Sequence, residues 1–235
     1  MKVVFITPCF NASKNIPTLV RSLMSQSDSD WSLILIDDIS TDNTASIIKN
    51  ISEENKKIEG IINTEKKYAL RNIIETSRKF ENNSDVIIAV IDGDDSICND
   101  ETVSILKNTY KPGIDSVWTG HRWDINGMNI SKSLPPNIDP YQWPWCSSHL
   151  RTFRASLLKN IPDSNFKNTT GKWFKRGYDQ ALMLPVLKIA KNYKYVNEIC
   201  YQYNINSVSI SNRDWAERDQ HMTVNLVRSR GFLSK

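Results

Sequence analysis

Short runs of β-branched and aliphatic residues alternate with amphipathic segments of helix length through the first half of the chain. Val3–Thr7, Ser32–Asp37, Ile58–Asn63, Asp85–Ile91 and Ser116–Thr119 read as strands. Between them, Lys14–Gln26, Thr44–Asn55, Tyr68–Phe80 and Asp100–Tyr110 space their apolar residues three to four apart, as helices do. In the first, Ile16, Leu19, Val20, Leu23 and Met24 make one face. Strand–helix alternation of this kind predicts an α/β fold, a Rossmann-like, mostly parallel sheet flanked by helices.

The pattern loosens after about residue 120. Asn126–Pro144, which contains Pro135-Pro136, reads as hairpin and loop. A helix is expected at Ala155–Asn160, then a polar loop with few apolar anchors over Asp163–Gly177. A helix at Asp179–Ala190, an aromatic strand at Tyr193–Tyr203 and an amphipathic helix at Asp214–Arg230 close the chain. A chain of 235 residues suits one core, so residues 1–118 and 119–235 are expected to be halves of a single domain.

Composition adds little to that picture except by exclusion. With 40% apolar and 24% charged residues the chain is globular, not disordered. Thr7, Pro8 and Asn11 break the first apolar run before it could serve as a signal-peptide core. No stretch approaches the roughly 18 apolar residues of a membrane-spanning helix. Cys9, Cys98, Cys146 and Cys200 are scattered singly, which suggests reduced thiols and a cytoplasmic protein. Charge is more informative. Residues 1–118 carry 13 Lys/Arg against 18 Asp/Glu, whereas residues 119–235 carry 17 against 8, and six of the seven tryptophans lie at or after Trp118. An acidic first half suits a divalent cation, and a basic, Trp-bearing second half suits phosphate or a sugar stacked on indole. An uneven surface with core tryptophans accounts for the same numbers.

Ligands of parallel α/β sheets bind at the carboxyl ends of the strands, and three polar clusters fall there. Thr7-Pro8-Cys9-Phe10-Asn11 follows the first strand, with a rigid Pro exit and an aromatic suited to covering a nucleobase. Asp37-Asp38-Ile39-Ser40-Thr41-Asp42-Asn43-Thr44 follows the second. Asp42 and Thr44 suit a helix cap, while Asp37 and Asp38 precede the turn and could accept hydrogen bonds from a ribose hydroxyl or a base imide. Asp92-Gly93-Asp94-Asp95 ends the most apolar strand. Its carboxylates repel one another unless a cation compensates them, and oxygen ligands favour Mg²⁺ or Mn²⁺, with a diphosphate completing the shell.

Together these clusters resemble the inverting glycosyltransferases of family two, which have the A-type nucleotide-sugar transferase fold. The resemblance rests on Pro8, Phe10 and Asn11, then on Asp37–Thr44 with Ile39 in place of a glycine. It continues through Leu70-Arg71-Asn72 and Asp92-Gly93-Asp94-Asp95, spanning roughly residues 2–110. It implies a nucleoside-diphosphate-sugar donor, with UDP expected, and a Mn²⁺ or Mg²⁺ cofactor. Phe10 and Asp38 would lie around base and ribose, with Thr7, Pro8 and Asn11 in the same loop region. Arg71 would lie near base or diphosphate, Asp92 in the ribose and metal shell, and Asp94 on the metal. Ile39 is a departure, because a β-branched residue does not readily take a positive φ.

In the second half the resemblance implies a carboxylate base at a helix start. Gly177-Tyr178-Asp179-Gln180 stands there, with Tyr178 replacing the family's Glu and Asp179 as the base; helix capping is the plainer role for Asp179. The segment Ser147–Arg154 resembles the stretch entering the acceptor region, so His149 would line the site. Asn204, three residues before Ser207-Val208-Ser209, stands where the family often has His. Trp143 and Trp145 suit either a sugar-stacking platform or hairpin anchors. Lys172, Lys175 and Arg176 suit either a lid that neutralises diphosphate or a solvated basic loop.

The acceptor implied by class is a glycan or a lipid-linked oligosaccharide, and the basic second half leaves a nucleic-acid acceptor open, although no nucleic-acid-binding module is recognisable. The basic C-terminal helix, with Arg228, Arg230 and Lys235, admits peripheral membrane contact. Two other classes compete. Nucleotidyl transfer lacks its Gly-rich N-terminal loop here, and a non-catalytic nucleotide-sugar or glycan-binding protein would tolerate Ile39, Tyr178 and Asn204. The sequence leaves the oligomeric state open.

Overall fold

The computed structural model describes residues 1–205 and 214–234. Its first half is built as the periodicity predicts. Strands β1 (Lys2–Cys9), β2 (Trp31–Asp37), β3 (Ile58–Ile62) and β4 (Val86–Val90) alternate with helices α1 (Ile16–Met24), α2 (Thr44–Glu54) and α3 (Tyr68–Arg78). β1 pairs in parallel with both β2 and β4, and β2 with β3. Both faces of the inner strands are covered, which is why β4 and the middle of β1 and β2 are apolar rather than alternating, while the edge strand β3 is largely exposed. Val86, Ile88 and Val90 of β4 face one apolar layer with α3 residues Leu70, Ile73 and Ile74. Ile87 and Ala89 face the other, with Ile16, Leu19 and Leu23 of α1.

The rest of the chain is β5 (Ser96–Ile97), α4 (Thr102–Thr109), β6 (Ser116–Trp123), β7 (Arg151–Arg154), α5 (Tyr178–Ile189), β8 (Tyr193–Tyr203) and α6 (Asp214–Arg230). All eight strands form one sheet in the order β3-β2-β1-β4-β7-β6-β8-β5. β7 is antiparallel to both β4 and β6, and β6 runs parallel to β8. Periodicity does not reveal β7, because its sequence Arg-Thr-Phe-Arg lacks an apolar run. The buried Thr152 hydroxyl at its centre is satisfied internally. Thr152 Oγ1 donates to Val117 O at 2.6 Å and lies 2.7 Å from the Tyr110 hydroxyl.

Three other expectations change. Ala155–Asn160 forms a 3₁₀ helix, not an α-helix. Residues 126–144 form turns and loop with no paired strand. The 163–177 loop is well anchored: Phe166 and Phe174 are buried and Trp173 stacks on Phe166 at 6.2 Å. Arg228 donates to Gln180 and to the carbonyls of Tyr141 and Trp143, and Arg230 to those of Lys167 and Asn165. These two arginines therefore tie α6 to the body and are not free to meet a membrane. Lys235 and Ser207–Ser209 lie outside the described residues. No helix among the described residues is long and apolar enough to cross a membrane.

The β2–α2 loop keeps the left-handed turn that a glycine would accommodate: Ile39 has φ +61° and is exposed. A β-branched residue is strained there, at a cost of about 1–2 kcal/mol. Ile39→Gly is accordingly expected to stabilise the protein, by about 1 kcal/mol once glycine's extra chain entropy is subtracted. Urea unfolding measures this, and an equal or lower midpoint would contradict it.

Candidate active site

A cavity of about 550 Å³ opens at the carboxyl ends of the central strands. Gly93 lets the loop after β4 lie close to the end of β1: a Cβ there would meet Pro8 O at 3.0 Å and Cys9 Cα at 3.3 Å, tight enough that the backbone would have to give. Phe10, Pro8, Asp38, Asp92, His149, Lys175, Arg176 and Asp179 all line this one cavity. Thr7 and Asn11 lie beside it. Thr7 is buried, and Asn11 joins two loops, donating its backbone N–H to Ser40 Oγ and accepting from Thr41 N at 2.8 Å.

At one end the Phe10 ring is exposed and Asp38 is buried. Asp38 Oδ1 accepts from Lys67 N at 2.8 Å and Asn63 Nδ2 at 3.0 Å, and Oδ2 accepts from Tyr68 N at 2.9 Å. Burial works to raise its pKa, but the hydrogen bonds from Lys67, Asn72 and Asn63 win and hold it below the usual carboxylate range. Lys66, also lining the cavity, completes this cluster.

At the other end carboxylates surround one buried guanidinium. Arg151, on β7, is 2% exposed; its Nη2 lies 3.3 Å from each oxygen of Asp92 and donates to the Tyr178 hydroxyl at 2.9 Å. The Tyr178 hydroxyl in turn donates to Asp92 Oδ1. Burial disfavours the Arg151 charge, yet Tyr178, Asp92 and Asp179 hold it more firmly protonated than a free arginine. Asp95 accepts from the Tyr201 hydroxyl at 2.6 Å and from Asn204 N at 2.8 Å. Asn204 Nδ2 also closes on Asp94 O at 2.7 Å, so this residue braces the acidic loop. The Asp94 carboxyl is raised to about 6 by burial and by the Asp92 charge, against a hydrogen bond from its own backbone that works to lower it. Asp95 is pushed well above its ordinary value by burial, then by Asp92 and Asp94.

His149 is stacked on Tyr201 at 4.5 Å and on Tyr203 at 5.0 Å, and its Nδ1 is buried without a partner. Burial, with Arg151 and His121 adding to it, holds its pKa far below the ordinary value, so the ring is neutral. Single ligand atoms of Asp92, Asp95 and His149 lie within 4.8 Å of one another. Two carboxylates and a neutral imidazole make a donor set fit for a divalent cation. Asp179 lies in the first turn of α5, which follows Gly177, whose φ of +61° turns the chain into the helix. Burial raises its pKa, Arg151 opposes that, and Asp92 adds to it.

Four sequence candidates stand apart. Arg71 pairs with Glu65 at 2.9 Å and Glu75 at 2.7 Å on the α3 surface and does not line the cavity. Trp143 and Trp145 are half-buried, pack on the apolar clusters around Trp118 and Phe153 and do not line the cavity, so they anchor a loop, with neither a hairpin nor a sugar platform formed. Lys172 is exposed in a turn where its N–H donates to Asn168 Oδ1. Conversely, sequence reasoning overlooks Arg151 and Lys66. Arg151 stands two residues beyond His149 in a segment already singled out, so its position beside a named site residue was the available signal.

A mixed, mostly parallel sheet carrying this cavity at its carboxyl edge defines an A-type nucleotide-sugar transferase fold. The sequence profile of Glycosyl transferase family 2 matches residues 4–182. The chain belongs to that family and is a glycosyltransferase. It is 29% identical over 214 residues to TuaG of Bacillus subtilis, a protein assigned as a teichuronic acid biosynthesis glycosyltransferase, covering 91% of this chain and 82% of that one. It is 25% identical over 226 residues to WfgD of Escherichia coli, a UDP-Glc:α-D-GlcNAc-diphosphoundecaprenol β-1,3-glucosyltransferase, covering 92% and 81%. Similar folds occur in residues 1–349 of S. aureus TarS in complex with UDP-GlcNAc, at a TM-score of 0.71 and 18% identity, covering 97% of this chain and 65% of that one. The mannosyltransferase PcManGT of Pyrobaculum calidifontis, in complex with GDP-Man and Mn²⁺, gives a TM-score of 0.68 at 14% identity, covering 100% and 66%.

Proposed function

We propose that the protein is a metal-dependent, inverting glycosyltransferase that moves a sugar from a UDP-sugar to a hydroxyl of a glycan or lipid-linked oligosaccharide. The observation that carries this reading is that one cavity is lined by an exposed aromatic at one end and by Asp92, His149 and Asp179 at the other. Such a cavity accommodates a base, a diphosphate and a sugar in sequence. The activity of WfgD, which uses UDP-Glc and a diphosphoundecaprenol-linked acceptor, supports both the nucleotide and the acceptor class.

In this reading the acceptor hydroxyl attacks the anomeric carbon from the face opposite the diphosphate. Asp179 takes the hydroxyl proton as the new C–O bond forms, and the bond to the diphosphate breaks. Lys175 and Arg176, at the cavity wall, favour the departing anion. Asp92, Asp95 and His149 would hold the cation, with Asp94 entering the same shell through its carboxylate. When bound, Mn²⁺ or Mg²⁺ offsets charge on the diphosphate.

The test is nucleoside-diphosphate release from a panel of nucleotide sugars with Mn²⁺, Mg²⁺ or chelator. Release is expected from a UDP-sugar and is expected to fall at least tenfold with chelator. No release or binding across the panel would sink the reading, and full activity in chelator would remove the metal from it. Titration of Mn²⁺ into His149→Ala and Asp94→Ala then separates the ligands, with the larger loss of affinity expected for His149→Ala.

A further inference from the structure

Two buried histidines stand side by side at the acidic end of the cavity, and their hydrogen bonding differs. The rings of His121, on β6, and His149 have their centroids 5.5 Å apart. Both nitrogens of His121 are partnered: Nε2 lies 3.2 Å from Trp123 Nε1, and Nδ1 lies 3.1 Å from Ser131 Oγ. Among the described residues His149 Nδ1 has no partner, and Tyr201 and Tyr203 hold that ring by its faces. Stacking restrains the tilt of a ring but lets it slide in its own plane. The depth to which the His149 imidazole reaches is therefore set by its backbone.

That backbone is held by a run of hydrogen bonds with a fixed direction. An indole N–H can only donate, so His121 Nε2 is the unprotonated nitrogen and accepts from Trp123. The ring proton is then on Nδ1 and is donated to Ser131 Oγ. Ser131 in turn donates its hydroxyl to the His149 carbonyl oxygen at 3.2 Å. Asn129 fixes the register of the run, its Oδ1 accepting from Ser131 N at 3.0 Å and from His121 N at 3.3 Å. The same peptide is gripped on its other side, where Leu150 N donates to Thr119 Oγ1 at 3.1 Å.

We propose that His121 and Ser131 are positioning residues for the cation: the directed run from Trp123 to the His149 carbonyl holds the His149 imidazole at bonding depth beside Asp92 and Asp95. The inference rests on the metal-dependent reading above and deepens it. His121 and Ser131 are 0% and 4% exposed and neither lines the cavity, so their effect on the cation passes through His149. Partners that orient a metal ligand without touching the metal typically contribute about 10–100-fold in metal affinity.

Titration of Mn²⁺ alone, read as loss of the free-ion EPR signal, tests it. Ser131→Ala is expected to weaken Mn²⁺ binding about tenfold, and Ser131→Thr, which keeps the hydroxyl, to stay within about threefold of wild type. His121→Phe, which keeps a ring and removes both nitrogens, is expected to match Ser131→Ala, and thermal melting checks that each variant is folded. A purely structural role would weaken binding whether or not His149 is present. In the His149→Ala background, by contrast, Ser131→Ala is expected to cost less than about twofold further. Unchanged affinity in either Ser131→Ala or His121→Phe, or an undiminished loss in the His149→Ala background, overturns the proposal while leaving His149 as a ligand. If His149→Ala itself binds Mn²⁺ as the wild type does, the place of His149 in the metal site falls and this inference with it.

Discussion

Asp179→Asn is expected to lower transfer by about 10²–10⁴-fold, the usual contribution of a positioned general base, while UDP affinity stays within about threefold. The substitution keeps the side chain's shape and removes its capacity to take a proton. Asp179 stands in the first turn of α5 and lines the cavity beyond the base end, so nucleotide contacts are not expected to change. The competing role is helix stabilisation. A carboxylate in the first turn favours the helix dipole by roughly 0.3–1 kcal/mol, an effect that lowers the melting temperature without touching turnover per folded molecule. Single-turnover transfer measured beside thermal melting separates the two. Wild-type transfer in Asp179→Asn would remove the base assignment, and a large melting shift with proportionate activity loss would make the residue structural.

The parts of this architecture that were legible in the sequence are those where one requirement dominates. β4 is buried on both faces, so its apolar run ends abruptly, and the acid cluster at that end is conspicuous. The β2–α2 loop keeps its acidic and hydroxyl residues at capping spacing, and Asp42 does receive Thr44 N at 3.0 Å and Ser13 N at 3.1 Å. Legibility fails where a polar residue is buried against a partner distant in sequence. Arg151 is central to the sheet, yet nothing in Arg-Thr-Phe-Arg announces a strand; its partners Asp92 and Tyr178 lie 59 and 27 residues away. Arg71 illustrates the converse failure. The family resemblance implied a ligand contact, but Glu75 one helical turn on and Glu65 nearby capture the guanidinium. Lys66 was missed because a lysine in a short loop has no pattern until Phe10 and Asp38 are brought beneath it.

Arg151→Met is expected to be the most destabilising single change at the site, by about 3–5 kcal/mol, because it leaves carboxylates uncompensated rather than merely removing a contact. The guanidinium is 2% exposed and Asp92 24% exposed, so solvent screens this pair far less than a surface bridge. Tyr178 remains hydrogen-bonded to Asp92, but Asp92, Asp95 and Asp179 then face one another without a fixed positive charge. For a chain of this size the loss corresponds to a fall in Tm of roughly 6–20 °C. The electrostatic cause makes a second outcome necessary. Arg151→Met/Asp92→Asn removes one charge of each sign, and it is expected to recover part of the loss. Mn²⁺ is expected to raise the Tm of Arg151→Met more than that of the wild type, since the cation then compensates carboxylates that the arginine no longer does. If the double variant is less stable by the sum of the two single changes, and Mn²⁺ acts equally on both proteins, the contribution of Arg151 is packing along β7, not charge balance.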